Sequence, residues 1–390
     1  MEIQQFVESK KELQSIFLSY IDDPNSDENN FQNLIDNFKI QDLFQNQNEL
    51  KEFLQFITKI AKNHHRQPNF FDQIEKVLLY LENDLKKNFT NSEIFTIFKN
   101  SNPILLFLIK QKIITVDTSI VKLIRNKECL QFLYPEIKAF IDDEIERRIE
   151  ESNEIDEMTK DANFDKKRRI GENETYICQL IRTDSIEEFV AFINKTNTSK
   201  NGKIKRSLFE TNSFLIKKKE TSLIEYAAFF GSIQIFQFLR INEVPLCESL
   251  WLYAIHSNNA EMIHILERDK VKPPNGSYER CFVEAIKCHH NEIARYIKEN
   301  YIEKSMKDEK YKSCTFRYHN FEFIPINFTE DDAFFYLTFY NYQKLVDIYL
   351  NSRKNDIESQ IIWKKKHYFS SSFCQKLNGI FNDLFFIIFL

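Results

Sequence analysis

Glycine is nearly absent from this chain of 390 residues: Gly171, Gly202, Gly231, Gly276 and Gly379 are the five, and no two are close together. A phosphate-cradling loop needs clustered glycines so that backbone N–H groups can approach the ligand. The dinucleotide fingerprint and the P-loop are therefore excluded in their usual forms. A Gly-x-Ser-x-Gly nucleophile elbow is excluded for the same shortage. An excess of one charge sign is missing too, since 53 basic residues against 58 acidic ones leave a formal net charge of −5. No broad field draws in a polyanion, and no nucleic-acid partner is expected. No apolar run approaches the ~20 residues that span a bilayer, so no membrane partner is expected either. The seven cysteines are odd in number and scattered from Cys129 to Cys374, which fits reduced thiols better than a disulfide framework. "MEIQQFVESKKELQ" has no basic segment leading into an apolar run, so a signal peptide is not expected. A cytoplasmic location is the expectation.

Apolar bulk is what the chain has in abundance, with 43% hydrophobic residues and 38 Phe. At this length such a composition calls for two or three domains or for a repeat array. Apolar residues recur at spacings of three and four, and strands are hard to find. "NELKEFLQFITKIAK" (48–62) and "FFDQIEKVLLYLENDLKK" (70–87) predict amphipathic helices. "NSEIFTIF" followed by "NPILLFLIKQKI" predicts two short helices joined at residues 99–102, with Pro103 in the first turn of the second. Residues 1–140 thus read as helical hairpins in series. Residues 141–174 are charged nearly throughout and read as a linker or a solvated helix, with a domain boundary near 150–172.

Residues 175–350 carry an internal repeat. "SLIEYAAFFGSIQIFQFL" from Ser222, "SLWLYAIHSNNAEMIHIL" from Ser249 and "RCFVEAIKCHHNEIARYI" from Arg280 align on Ala227, Ala254 and Ala285, with Ala228 doubling the small residue in the first copy. Four residues after each Ala come Gly231, Asn258 and His289; eight after come Ile235, Met262 and Ile293. Weaker copies begin at Ile177 and at Phe334, the latter with Asn341 at the turn. Such self-similarity marks stacked supersecondary units. A small residue lets two antiparallel helices approach closely. The residue four on must turn the chain with φ > 0, which Gly takes freely and Asn, Asp and His tolerate best. An insertion near 303–330 contains "TFRYHNFEFIPINF", whose period-2 alternation reads as a hairpin or as an irregular loop packed by its aromatics.

This frame resembles the ankyrin repeat. Ser222 stands at the small opening position, Ile224 at the consensus Leu, Ala227 and Ala228 at the paired alanines and Gly231 at the turn glycine. Glu261-Met262-Ile263 and Glu292-Ile293-Ala294 match the start of the second helix. No copy has the Pro-x-His element, because Glu225, Leu252 and Val283 stand where the His would be. More widely, "DKKRRIGENETYICQLIRTDSIEEFVAFINKTN", "FETNSFLI" and "EAIKCHHNEIARYI" are similar to the large ankyrin-repeat family expanded in trichomonad protists. "NHHRQPNFFDQIEKVLL" resembles the helical leader of those proteins. The resemblance runs to about Leu350 and brings no catalytic residue with it. Periodicity and resemblance together predict an all-α solenoid of stacked helical hairpins, ankyrin-like from about residue 175 onward.

Candidate chemistry is sparse. "KCHHNE" with Cys281 nearby, and His64-His65, contain good zinc ligands. His289 and His290, however, occupy the same frame positions as Gly231 and Ser232, and no paired second cluster follows. No metal and no cofactor are expected. "DKKRRI" reads as solvated charge or as a nuclear localisation signal, in which case Lys166–Arg169 would serve a nuclear or regulatory adaptor. Lys364–Lys366 form a weaker patch of the same kind. No Ser/His/Asp or Cys/His set shares a frame, so the chain is not expected to be an enzyme. The expected function is a protein–protein interaction scaffold that binds one or more proteins along a concave repeat surface. Glu225, Tyr226, Leu252, Tyr253 and Glu284 on first helices, with Pro245, Lys272 and Asn275 in the loops, are the residues expected to face that groove. "GIFNDLFFIIFL" makes residues 351–390 read as an incomplete terminal repeat or tail. That leaves a truncated family copy without selected function as a further alternative.

Overall fold

Several helices of this chain form where a polar cap precedes an apolar stripe. The computed structural model, which describes residues 2–40, 46–149, 152–302, 309–324, 336–340 and 342–352, is mostly helical. After α1 (Glu2–Asp22) and α2 (Glu28–Ile40), the Asn46 side chain caps α3 (Gln47–Asn63) by accepting from the N–H groups of Asn48 and Glu49. Leu50, Leu54, Ile57 and Ile60 of α3 then fall on its fully buried face. The stretch 70–87, expected as one helix, is two: α4 (Phe70–Tyr80) and α5 (Glu82–Asn88) divide at Leu81, whose φ −84 and ψ 0 leave the helical region. Thr90 and Glu93 close a capping box on α6 (Asn91–Phe98), and Pro103 sits in the first turn of α7 (Asn102–Lys110). Three short helices follow, α8 (Thr118–Leu123), α9 (Lys127–Phe132) and α10 (Tyr134–Ile137).

The charged segment 141–174 is not a bare linker. It forms α11 (Asp143–Ile149), α12 (Ser152–Thr159) and α13 (Phe164–Ile170), and it buries Ile145, Ile149, Ile155 and Phe164. Arg168, only 1% exposed, holds both oxygens of Glu136 at 2.7 and 2.8 Å and donates to Phe132 O at 2.9 Å. Arg169 pairs with Asp72 at 2.5 Å and Lys167 with Asp161 at 2.6 Å. Of the basic cluster Lys166–Arg169, Arg168 is taken up within the fold, while Lys166 and Arg169 stay exposed. A helix can bury one face of a charged run when that face meets carboxylates and carbonyls.

The later helices come in pairs: α14 (Tyr176–Arg182) with α15 (Ile186–Thr196), α16 (Leu223–Phe230) with α17 (Ile233–Ile241), α18 (Leu250–His256) with α19 (Ala260–Arg268), and α20 (Glu279–Cys288) with α21 (Asn291–Tyr301). First members lie against one another in chain order, α14 on α16, α16 on α18, α18 on α20, and α20 on α22 (Glu309–Tyr318). Ala227, Ala228, Ala254 and Ala285 are completely buried where these helices meet. The turn positions are left-handed, with φ 69° at Gly231, 52° at Asn258 and 59° at His289, and Asp184 joins them at 48°.

His319 belongs to the same set. It has φ 56°, and Asn320 N–H donates to Thr315 O at 2.9 Å just as Ser232 donates to Ala227 O at 3.0 Å and His290 to Ala285 O at 3.1 Å. Residues 315–324 therefore continue the helical frame, with a 3-10 turn at Phe321–Phe323, and form neither a hairpin nor an irregular loop. Cys314, Thr315 and Phe316 are buried in succession, which a helix wedged between neighbours allows and a two-faced strand does not. The sheet among the described residues is one antiparallel pair, β1 (Lys203–Lys205) and β2 (Glu220–Ser222), ahead of α16.

Two apolar cores result, one running from Leu13 to Ile155 and the other from Cys178 to Cys314. Both lie within one compact unit, Gln4–Phe328. Met1–Ile3 and Thr329–Leu390 make up a second unit, whose described part includes the helix Gln343–Ser352. Asn341, Lys364–Lys366, residues 303–308 and 325–335, and the tail 353–390 lie outside the described residues. No described helix is long and apolar enough to cross a membrane.

Two glycines separate backbone strain from crowding. Both Gly231 and Gly276 have φ 69°, but a Cβ at Gly231 would lie 3.3 Å from Ser257 and Asn259, whereas one at Gly276 would meet nothing within 4 Å. Gly276→Ala is expected to cost about 1 kcal/mol for the left-handed backbone alone. Gly231→Ala is expected to cost roughly 1 kcal/mol more, because the added carbon has to displace its neighbours. Parallel urea unfolding of the two variants checks this, and equal losses would refute it.

Candidate functional site

The end of α3 brings together residues far apart in sequence. His64 stops the helix by turning extended (φ −72, ψ 158) while still donating its N–H to Ile60 O. The turn sets His64 and His65 beside Asp22, the last residue of α1, and beside His290, which precedes α21. His64 Nδ1 lies 2.6 Å from Cys288 O, and His290 Nδ1 lies 2.7 Å from Ile255 O. A carbonyl can only accept, so Nδ1 carries the hydrogen in both rings. His64 Nε2 is then 2.8 Å from Asp22 Oδ1, and His65 Nε2 is 3.4 Å from the same oxygen. His65 Nδ1 faces His290 Nε2 at 3.1 Å. A ligand atom from each of His64, His65 and His290 lies within 4.8 Å of the other two.

The group is buried. His64 and His290 are each 1% exposed, and the His65 side chain is 13% exposed. Burial, reinforced by the neighbouring His64, pushes His65 down to about 3 and His290 well below the ordinary imidazole value. For Asp22 burial acts upward, but His64 and His65 together outweigh it and hold the carboxyl below its usual range.

A second group adjoins the first. Cys288 Sγ lies 3.4 Å from His256 Nδ1, His256 Nε2 lies 2.8 Å from Glu284 Oε1, and Lys287 Nζ donates to that same oxygen at 2.6 Å. The tertiary fold thus assembles a Cys–His–Glu series that no frame in the sequence connects. A nucleophilic thiolate needs a lowered pKa and access. Cys288 has neither: it is completely buried, and burial together with the charge of Glu284 raises its thiol well above the ordinary value. The His256 ring packs on both Phe214 at 4.4 Å and Phe229 at 5.0 Å, and its hydrogen bond to Glu284 joins α18 to α20.

Beside both groups opens a cavity of about 670 Å³ whose lining includes His65, Arg66, Lys166, Glu172 and Arg182. Arg66 Nη1 donates to Glu172 Oε1 at 2.8 Å and to Gly171 O and Thr211 Oγ1 at 3.0 Å, with its guanidinium over the Phe71 ring. Arg182 Nη1 donates to Asn173 O at 2.7 Å and to the Tyr226 hydroxyl at 3.2 Å. Cations outnumber carboxylates on these walls, which suits an anionic small molecule better than a cationic one.

The residues expected to face a groove divide into two sets. Tyr226, Tyr253 and Leu252 do not face solvent, being 2%, 1% and 9% exposed. The Tyr253 ring packs edge-on against Phe214 at 4.8 Å. The cause is the close stacking of first helices, which turns the positions just before Ala227 and Ala254 into the neighbouring helix. Glu225 closes a capping box with Ser222 and accepts from Ser249 Oγ at 2.7 Å, and Glu284 is tied to His256 and Lys287. Pro245, Lys272 and Asn275 are exposed, in the loops after α17 and α19. Asp22, His64, His65 and His290 carried one sequence signal, the two His-His doublets at helix ends, but nothing in sequence ties residues 225 positions apart. Compared with known proteins, the chain matches no family model, no curated protein and no solved structure.

Near this cavity Glu210 generates a pH dependence. Burial and the nearby Glu172 push it from the ordinary 4.5 up to about 8. Burial pushes Glu52 to about 8 as well. Between those values the folded chain holds protons that the unfolded chain has released, so stability falls as pH rises from about 4.5 to 8. Glu52→Gln and Glu210→Gln are expected to flatten that fall singly and more so together. Urea midpoints taken across this window test it, and an unchanged slope in the double variant would remove both carboxyls as its source.

Proposed function

We propose that the chain is an ankyrin-like, non-catalytic protein-binding module that reads its partner with the loops between helical pairs. The supporting observation is the repetition of one design. Helices α16, α18 and α20 each carry a buried Ala, run into a left-handed residue and lie against the next first helix, while the connecting loops expose Pro245, Lys272 and Asn275. Repeats arranged this way multiply similar contacts along a line, and binding then needs no reactive centre. The turn end of α20 is unavailable for this purpose, because α3 and the following His64 already cover it through His64 on Cys288 O and Phe56 against His289 at 5.3 Å.

This reading is favoured over a nuclear or regulatory adaptor built on Lys166–Arg169, since Arg168 is buried on Glu136 and Arg169 is paired with Asp72. The test compares the full chain with a variant carrying Pro245→Ala, Lys272→Glu and Asn275→Gly. Affinity capture from lysate is expected to yield a partner that the variant holds at least about tenfold less well, equivalent to about 1.4 kcal/mol. The variant is expected to stay folded, because all three side chains are exposed and Asn275, at φ 58°, is a position that glycine takes freely. A partner held equally by both chains, or chaperones alone in both captures, would sink the proposal.

A further inference from the structure

We propose that His64, His65 and His290 bind one divalent transition-metal cation beside the Asp22 carboxylate, zinc by the character of the ligands, and that the ion clasps the end of α3 to the start of α21. The inference rests on how the imidazoles converge. One ring nitrogen from each of His64, His65 and His290 lies within 4.8 Å of the other two, and all three rings are largely buried. His64 Nδ1 faces Cys288 O and His290 Nδ1 faces Ile255 O, so in both rings Nε2 is the nitrogen left for another partner. His65 Nδ1 meets His290 Nε2 at 3.1 Å, and Asp22 Oδ1 meets His64 Nε2 at 2.8 Å. A cation held between the imidazole nitrogens accepts a lone pair from each, and the Asp22 carboxylate beside them offsets its charge.

The geometry and the ligand types agree with this assignment. Zinc at about 2.0–2.1 Å from imidazole nitrogen and about 2.0–2.2 Å from carboxylate oxygen sets neighbouring ligand atoms roughly 3.4 Å apart in a tetrahedron. His65 Nδ1 and His290 Nε2, 3.1 Å apart, come close to that value, and the three ligand nitrogens lie within 4.8 Å of one another. Imidazole-rich sets select zinc and its neighbours, whereas calcium and magnesium prefer oxygen alone. The two backbone carbonyls on Nδ1 fix the rings with Nε2 outward, as carbonyl partners of metal-bound histidines do. His65 also lines the large cavity, which provides a route in. The adjoining group of His256, Glu284 and Cys288 makes no such demand. His256 Nε2 meets Glu284 Oε1 at 2.8 Å, and Lys287 Nζ, which donates to that same oxygen at 2.6 Å, already supplies a cation there.

The experiment uses the full chain purified without chelator, followed by elemental analysis, zinc titration by calorimetry, and cobalt substitution read by visible absorption. The expected result is a single equivalent of zinc per chain, a tetrahedral cobalt spectrum, and a melting temperature that rises with added zinc. His65→Ala, whose side chain is the least buried of the three, is expected to remain folded and to lose the equivalent. His290→Gln keeps a similar shape and is expected to weaken zinc by more than about 100-fold. Cys288→Ser should retain the metal. A folded native chain that neither carries nor takes up zinc would overturn the proposal, and so would metal lost by Cys288→Ser but kept by His65→Ala. Should both histidine variants fail to fold, the stoichiometry and cobalt spectrum of the native chain decide the matter.

Discussion

Two apolar cores meet in this protein across a seam of polar groups, and the buried donors and acceptors there depend on partners from the other side. Ser213 N–H donates to Lys62 O at 2.9 Å, Gln14 Nε2 donates to His319 O at 2.5 Å, and Phe321 N–H returns to Gln14 Oε1 at 3.2 Å. Arg66 spans to Gly171, Glu172 and Thr211, and His64 spans to Cys288. A buried polar group left without a partner costs about 1–3 kcal/mol, while an exposed ion pair contributes about 0–1 kcal/mol. The seam therefore fixes relative positions more strongly than the many surface pairs, such as Lys76 with Glu28. It is directional where the cores on either side are not, because an apolar face tolerates sliding and a ring nitrogen facing a carbonyl does not.

The close spacing of first helices shapes the surface as well as the interior. Ala227, Ala254 and Ala285 let the helices approach, and that approach draws Tyr226 and Tyr253 inward. Amphipathic side chains of this kind find a hydrogen bond or an aromatic edge when buried, as Tyr226 does with Arg182 and Tyr253 with Phe214. On the proposed reading, recognition falls to the loops, where Pro245, Lys272 and Asn275 are exposed.

Residues 141–174 show how composition misleads when burial is decided by a partner. Their charge density suggests solvation, yet Arg168 lies almost wholly inside because Glu136 and Phe132 O await it from another element. The alternation of Thr315–Phe328 misleads in the opposite direction. Period 2 over a few residues is compatible with a helix whose neighbours cover more than one face, and α20 provides that cover for α22.

By itself the sequence determined everything that depends on local chemistry. The helical period, the caps at Asn46 and Thr90, the place of Pro103 and the left-handed turns at Gly231, Asn258 and His289 follow from residue type and spacing within one or two turns. The break at Leu81 and the burial of Tyr226 and Tyr253 needed neighbours that those local rules do not contain. The histidine cluster needed them most. His64 and His65 carry the same signature as any polar helix end, and their meeting with Asp22 and His290 exists only once α1, α3 and α21 are in place. Side-chain periodicity is a short-range property of the backbone, whereas a shared site is a coincidence in space, set by how two separately ordered cores satisfy their polar groups against each other.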